Sequence, residues 1–389
     1  MSSQWPRRIG LGRALALLLA SMGLTACVAQ PGGLGYGPMG AGGPALSAPA
    51  GRRVAVLLPL TGSNAALGQS LLRAARLAFA PGGDNAFDTQ DTRGTFEGAA
   101  AATRAAAAAG AGIIVGPLTA AETTAVTPVA LARNIPVLAL TSDPSKAQRG
   151  IWPLGLTPGQ QVRTLVRGAA ADNKRRLGAI LPSNPFGDLL ARDLGPAAAE
   201  AGLPPPKILR YASQSALDGA IKEMGGAGGT DAPPSVDALL LGTSPDVTLR
   251  ILPNLVAAGL GPERTRLLGT ALWARDATRL GKLAGAWFAG PPAATLKVFE
   301  DNFKARYGTA PRDLASIAFD AAGAAHAATG PSGVDISVLL NPSGFAGANG
   351  VFRLLPDGTV RRSLELFEIG TGGVTPREAP PEPAGQRAM

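Results

Sequence analysis

The chain between residues 51 and 370 alternates short apolar runs with segments whose apolar residues recur at helical spacing. The run at 53–60 predicts a strand, and residues 65–80 predict an amphipathic helix. The alternation continues with predicted strands at 86–90, 113–115 and 136–140 and predicted helices at 96–109 and 120–132. Such an order is typical of a parallel sheet covered by helices on both faces.

The same pattern restarts after residue 156. Thr157-Pro158-Gly159-Gln160 combines a hydroxyl cap, a proline at the first helical position and a glutamine at the third. This sequence predicts the start of a helix that runs to about residue 171. Further strands are predicted at 177–181, 208–211, 238–241 and 266–268, and further helices from 184, at 217–224 and at 245–258. We therefore expect an α/β protein with two doubly wound parallel-sheet lobes, joined by a hinge, that bind a ligand at the carboxyl ends of their strands.

The two ends of the chain have a different composition. Residues 27–50 and 371–389 are rich in Gly, Pro and small or polar residues and cannot bury enough apolar surface to order themselves. They predict a tether and a disordered tail. Residues 1–26 contain arginines followed by an apolar run shorter than the roughly 20 residues that span a bilayer, as in a secretory signal.

The signal ends in Leu24-Thr25-Ala26-Cys27, which resembles the cleavage box of bacterial lipoproteins. The resemblance implies that Cys27 becomes the lipid-bearing first residue of a periplasmic protein. Val28 follows, where an Asp would favour the inner membrane, so the outer membrane is expected.

Composition limits the chemistry available to the mature chain. Cys27 is its single cysteine and His326 its single histidine, which excludes a disulfide framework and most zinc sites. His326 is the only candidate base for a Ser-His-Asp triad, and it stands at the end of an Ala-rich helical segment, where a structural role is expected. The formal charge of +9 is scattered over 389 residues, which disfavours nucleic-acid binding. The sequence therefore predicts no enzyme activity, no cofactor and no metal.

Several loops in order resemble one family, the leucine-binding-protein group of type I periplasmic binding proteins. The matching segments are 54–62 with 67–68, 113–119, 134–143, 184–187, 303–307, 319–320 and a closing hairpin in 344–358. The resemblance implies the type I fold over 51–370. One lobe would comprise about 51–156 and 286–335, and the other about 157–285 and 336–370.

Within that group, Leu57-Leu58-Pro59-Leu60-Thr61-Gly62, the Gly116-Pro117-Leu118-Thr119 loop and the lipoprotein box look like penicillin-binding protein activators. That resemblance implies a non-catalytic regulator of a peptidoglycan synthase. The alternative is the receptor of an ABC permease for amino acids or amides.

The resemblance also implies a ligand site. In the amino-acid binders, loop hydroxyls and N–H groups at helix starts hold the ligand carboxylate, because unpaired donors and the helix dipole favour an anion there. The candidate ligand-binding residues are Thr61, Thr119, Thr141, Ser142, Asp143 and Phe186.

Local structure offers an alternative for most of these residues. Thr119 and Glu122 have the spacing of a capping box, and Ser142 or Asp143 equally fits the cap of a turn before Pro144. Phe186 either stacks on a ligand or closes the apolar edge of its helix.

The sequence offers few residues that could bind the ammonium group of an amino-acid ligand. Loop 269–273 aligns with the loop that carries an acidic residue in aliphatic amino-acid binders, but it contains no carboxylate; Asp276 follows it. Tyr211 and Tyr307 fall in a predicted strand and a predicted helix rather than around a pocket. Because an unpaired buried ammonium costs several kcal/mol, we expect weak or no binding of free α-amino acids.

Overall fold

The structure is a computed structural model that describes residues 51, 53–80, 87–226 and 233–377, with only the backbone described at 275–278. The predicted signal, the tether, Cys27 and residues 378–389 lie outside the described residues. Within the described ranges, no helix has both the length and the apolar character needed to cross a membrane.

The first sheet, as far as the chain is described, has five parallel strands in the order β2-β1-β3-β4-β5. The strands are β1 Arg53–Leu58, β2 Asp88–Asp91, β3 Ala111–Val115, β4 Val137–Ala139 and β5 Ile151–Pro153. The helices between them are α1 Ala65–Ala78, α2 Phe96–Ala108 and α3 Ala120–Ala132. The central strands β3 and β4 are buried on both faces, as expected of a parallel sheet covered by helices.

The second sheet repeats this order. Its parallel strands run β7-β6-β8-β9-β10, and two antiparallel strands extend it beyond β10. The strands are β6 Leu177–Pro182, β7 Lys207–Tyr211, β8 Ala238–Leu241, β9 Arg266–Gly269, β10 Trp287–Gly290, β15 Glu365–Gly370 and β16 Gly373–Arg377. Its helices are α4 Pro158–Ala171, α5 Pro185–Glu200, α6 Gln214–Gly225 and α7 Pro245–Ala257. The predicted fold of two doubly wound α/β lobes is confirmed.

The remaining elements complete the first lobe. They are α8 Ala293–Tyr307, α9 Ala315–Ala328, β11 Thr329–Gly330, β12 Gly333–Val334, α10 Ile336–Leu339, β13 Phe352–Leu354 and β14 Val360–Arg362. Phe299 and Phe303 of α8, Leu339 of α10 and Phe352 of β13 are buried in one core with Leu71 of α1.

The predicted lobe boundaries at 286 and 336 are wrong. Strand β10 pairs with β9 and β15 and therefore belongs to the second lobe. Residues 336–362 belong to the first lobe, since Leu339, Phe352 and Val360 are buried in its core. The prediction of a disordered tail from residue 371 is also wrong for its first part. Strand β16 pairs with β15 along Leu366–Gly370, and Val374 packs against the second core, so this part has a backbone partner and an apolar surface to cover.

A buried ion pair lies where the chain passes between the lobes. The side chains of Arg362 and Asp320 are fully buried, and their Nη1 and Oδ2 atoms are 2.7 Å apart. Nη2 of Arg362 also donates to the carbonyl of Leu154, at the first crossing. Asp320 accepts bonds from the Ala348 N–H at 2.6 Å and from the Asn349 amide at 2.9 Å. One ion pair thus fixes α9, the end of β5 and the end of β14 relative to one another.

The space around this pair is filled. A side chain at Gly347 would place its Cβ 2.5 Å from a carboxylate oxygen of Asp320, so glycine is required by close approach. The pKa of Arg362 is lowered by burial, which outweighs the opposing effects of the charge and the hydrogen bond of Asp320. Arginine nevertheless stays charged in proteins, so the pair is ionic.

Replacing Asp320 by Asn should lower the free energy of unfolding by about 3–5 kcal/mol, because Arg362 is left buried without a counter-charge. Urea denaturation followed by circular dichroism measures this loss. The control is Asp301→Asn, which removes a carboxylate from the exposed pair with Lys297 and should cost far less. Equal losses in the two variants would show that the buried pair does not organise the crossings.

Candidate binding site at the carboxyl edges of the sheets

The carboxyl edges of the two sheets meet at the chain crossings. Strand β5 ends at Pro153 and α4 begins at Pro158, while β10 ends at Gly290 and α8 begins at Ala293. In doubly wound units, helices begin at the level of the strands' carboxyl ends, so both crossings join one carboxyl edge to the other. The candidate ligand-binding residues lie at these edges, Phe186 in the first turn of α5 and the others in loops. Phe186 is in the second lobe, and the others are in the first.

Thr61 is engaged by a carboxylate of the chain itself. Its hydroxyl donates to Oδ2 of Asp91 at 2.6 Å, and Oδ1 of Asp91 accepts the backbone N–H groups of Leu60 at 2.8 Å and of Arg93 at 2.8 Å. Burial would raise the pKa of Asp91, but these hydrogen bonds outweigh it and lower the pKa. The donors after β1 therefore already hold an anion, and that anion is Asp91.

Thr119 forms the capping box that the sequence offered as an alternative. Its N–H and hydroxyl donate to Oε2 of Glu122 at 2.9 and 2.8 Å, and its hydroxyl accepts the Glu122 N–H. Glu122 is fully buried, and its other oxygen accepts the hydroxyl of Thr92 from the loop after β2. A second carboxylate of the chain thus engages the N–H and the hydroxyl of Thr119, the cap residue of α3.

The loop after β4 is folded on itself except at Ser142. Oγ1 of Thr141 accepts the Asp143 N–H at 3.1 Å, and Oδ1 of Asp143 accepts the Ser145 N–H at 2.9 Å. Asp143, not Ser142, therefore caps the short 3-10 turn that begins at Pro144. Ser142 is exposed, and its hydroxyl has no hydrogen-bond partner in the described part of the chain.

Phe186 lies at the start of α5 in the second lobe. It is half-buried and packs against the core of that lobe, while Asn184 caps the helix by accepting the Gly187 N–H at 2.9 Å. Its packing fits the prediction that it closes an apolar helix edge, and its exposed part leaves room for a contact with a partner.

Asp143 also acts across the two lobes. The pKa of Arg192 on α5 is raised, mainly by its hydrogen bond to Asp193. Burial opposes this shift, and the negative charges of Asp193 and Asp143 add to it. Asp143 of the first lobe therefore lies close enough to α5 of the second lobe to attract its arginine.

The loop after β9 is filled by tryptophan. The buried indole of Trp273 donates to the carbonyl of Thr243 at 3.0 Å. A Cβ on Gly269 would lie 2.1 Å from the indole ring, so this position requires glycine. Gln161 of α4, which is 7% exposed, accepts the Ala271 N–H at 2.7 Å and holds the loop after β9 against α4. Trp273 is thus a core residue of the second lobe, and the loop that carries an acidic residue in the amino-acid binders is packed around its ring.

Asp91, Gln161 and Trp273 also shape these loops, although none of them was predicted to do so. Asp91 stands in Asp91-Thr92-Arg93-Gly94, a turn sequence in which the carboxylate commonly accepts nearby N–H groups, so a signal was present. The contacts of Gln161 and Trp273 join residues that are 110 and 30 positions apart, and no local pattern reveals them.

A cavity of about 440 Å³ opens at the carboxyl ends of β6 and β7 in the second lobe. It is lined by Pro182 and Tyr211 at these strand ends, by Leu217 of α6 and by Arg250 of α7, so the expectation that Tyr211 borders no pocket is wrong. Burial raises the pKa of Tyr211, so its hydroxyl remains a neutral donor. Across the described ranges, no group of three or more His, Cys, Asp or Glu residues could hold a metal ion.

The family model of the periplasmic binding proteins matches residues 52–373. Among solved structures, a Rhodospirillum rubrum protein, provisionally described as a branched-chain amino acid ABC transporter, is similar with a TM-score of 0.69 at 18% identity. The similarity covers 83% of this chain and 99% of that one. The C-domain of LpoA from Haemophilus influenzae, a regulator of PBP1A, is similar with a TM-score of 0.64 at 16% identity, over 84% of this chain and 99% of that one.

Full-length LpoA of Haemophilus influenzae is similar over 85% of this chain but only 59% of its own length. A comparison with curated protein sequences found no match. At these identities the solved structures establish the shared fold, and the family model spans most of the described chain. The chain therefore belongs to the periplasmic binding protein family.

Proposed function

We propose that this protein is a non-catalytic lipoprotein of the periplasm that recognises a peptidoglycan synthase and regulates it, as a penicillin-binding protein activator. Cys27 would anchor it to the outer membrane. The fold shared with the C-domain of LpoA, a regulator of PBP1A, supports this proposal.

The proposal rests on the two carboxylates of the chain that engage the donors around Thr61 and Thr119 in the first lobe. A solute carboxylate needs free N–H and hydroxyl groups at the helix starts. Here Asp91 engages the donors after β1 and Glu122 those at the start of α3. A solute would have to displace a covalently attached anion from each set. Such an edge suits contact with a protein surface better than capture of a free amino acid.

The second candidate is the receptor of an ABC permease for amino acids or amides. It is favoured by the similarity to the Rhodospirillum rubrum protein, and by the exposed hydroxyl of Ser142 in a loop where the amino-acid binders hold their ligand. An amide without a carboxylate would avoid competition with Asp91 and Glu122.

Asp91→Asn should destabilise the protein by about 1 kcal/mol near neutral pH, a hydrogen-bond contribution already reduced for solvent screening. Since the folded-state pKa of Asp91 is lowered, its contribution exists above the unfolded pKa of about 3.9 and disappears as the pH falls through the folded value. The difference between wild type and variant should therefore shrink below about pH 4 in urea denaturation. Thr61→Val, which removes one of the donors, should lose a smaller part. A difference that does not change with pH would show that the Asp91 carboxylate does not hold this loop.

Purified full-length protein in detergent should raise the glycan-polymerising or cross-linking rate of a bifunctional penicillin-binding protein from the same organism. The measurement follows incorporation of labelled lipid-linked precursor with and without the protein. A leucine-binding protein of the same fold serves as the control and should have no effect. Unchanged rates with each synthase of the organism, together with tight binding of an amino acid or amide, would favour the permease receptor instead.

A further inference from the structure

The hairpin of β13 and β14 presents two different faces. Val360 and Arg362 alternate with Arg361 along β14, as side chains on opposite faces of a strand do. Val360 is buried in the core of the first lobe, and Arg362 is buried on Asp320. Arg361 lies on the other face and retains about a third of its side-chain exposure.

The hairpin contacts two helices of the second lobe. Nη1 of Arg361 lies 2.9 and 3.3 Å from the two carboxylate oxygens of Glu200, the last residue of α5. The carbonyl of Val360 accepts the side-chain amide of Gln160, in the first turn of α4, at 3.2 Å. A hairpin whose inner face belongs to the first lobe is thus hydrogen-bonded to α4 and α5 of the second.

Glu200 offsets a repulsion between two arginines of the hairpin. Arg353 of β13 pairs directly opposite Arg361 in the hairpin register. Like charges at opposite positions of an antiparallel pair repel each other. Glu200 supplies the opposite charge from the second lobe, so the hairpin gains more from docking on α5 than it would without the second arginine.

We propose that the β13–β14 hairpin is a strap that holds the two lobes at one angle, with the Arg361–Glu200 pair as its release point. The buried Arg362–Asp320 pair keeps the strap attached to the first lobe. The outer pair is accessible to water and salt, so it can be broken without unfolding either lobe.

Charge reversal and exchange test the strap in the full-length chain. Glu200→Arg and Arg361→Glu each place like charges at the contact, and the double variant restores a pair of inverted polarity. Each single variant should speed hydrogen–deuterium exchange of the crossings, residues 154–160 and 360–364, by roughly fivefold, which corresponds to about 1 kcal/mol for an exposed pair. Small-angle scattering should show a larger radius of gyration. The double variant should return both quantities towards those of wild type.

Asp188→Arg is the matched control. It makes the same charge change on the same helix, but Asp188 pairs with Arg210 inside the second lobe, so exchange at the crossings should stay as in wild type. The proposal is overturned if the single reversals leave both measurements unchanged, if the double variant fails to restore them, or if Asp188→Arg has the same effect. Faster exchange without a larger radius of gyration would also overturn it, because the hairpin would then loosen without moving the lobes.

Discussion

The chain passes between its two lobes at three places within the described residues, and the fully buried Arg362–Asp320 pair joins two of them, at Leu154 and at the end of β14. Because both charges are desolvated, each depends on the other and on the hydrogen bonds around it. The pair joins α9, the end of β5 and the end of β14, and the loop at Ala348 and Asn349 closes over it. The orientation of everything that lies at the carboxyl edges follows from this fixed point.

The first consequence concerns the helix starts. In doubly wound lobes, each helix that begins at the carboxyl edge leaves unpaired N–H groups, which require an acceptor. A receptor can leave some of them for its ligand. In this protein Asp91 accepts hydrogen bonds from the loops after β1 and β2, and Glu122 accepts those of Thr119 at the start of α3. In the second lobe, the buried indole of Trp273 donates to Thr243 within the core. The family fold is kept, while the groups that would hold an amino acid are engaged in holding loops.

The second consequence concerns the β13–β14 hairpin. Adjacent residues of one short strand have opposite fates, since Arg362 is buried in the first lobe and Arg361 reaches the second. The buried attachment and the exposed contact are therefore made by neighbouring residues. This arrangement lets the angle between the lobes be adjusted at the surface while the core remains intact.

Much of this architecture could be predicted from the sequence. Apolar runs and capping signals predicted both doubly wound lobes, and the spacing of Thr119 and Glu122 predicted the capping box. The lobe boundaries could not be predicted in the same way. Whether β10 and residues 336–362 join one lobe or the other depends on contacts between distant segments, as do the pairing of Arg362 with Asp320 and the packing of Trp273 under Gly269. Local pattern predicts elements, whereas the partner of each element is decided by burial across the whole chain.

At the carboxyl edge of the first sheet, Asp91 and Glu122 of the chain itself engage the donors around Thr61 and Thr119, and we therefore expect no free amino acid to bind there. Isothermal titration calorimetry of the full-length protein with leucine, isoleucine, valine and small aliphatic amides tests it most directly. We predict no saturable heat from any of the three amino acids. Sub-micromolar binding of any one of them would contradict the account.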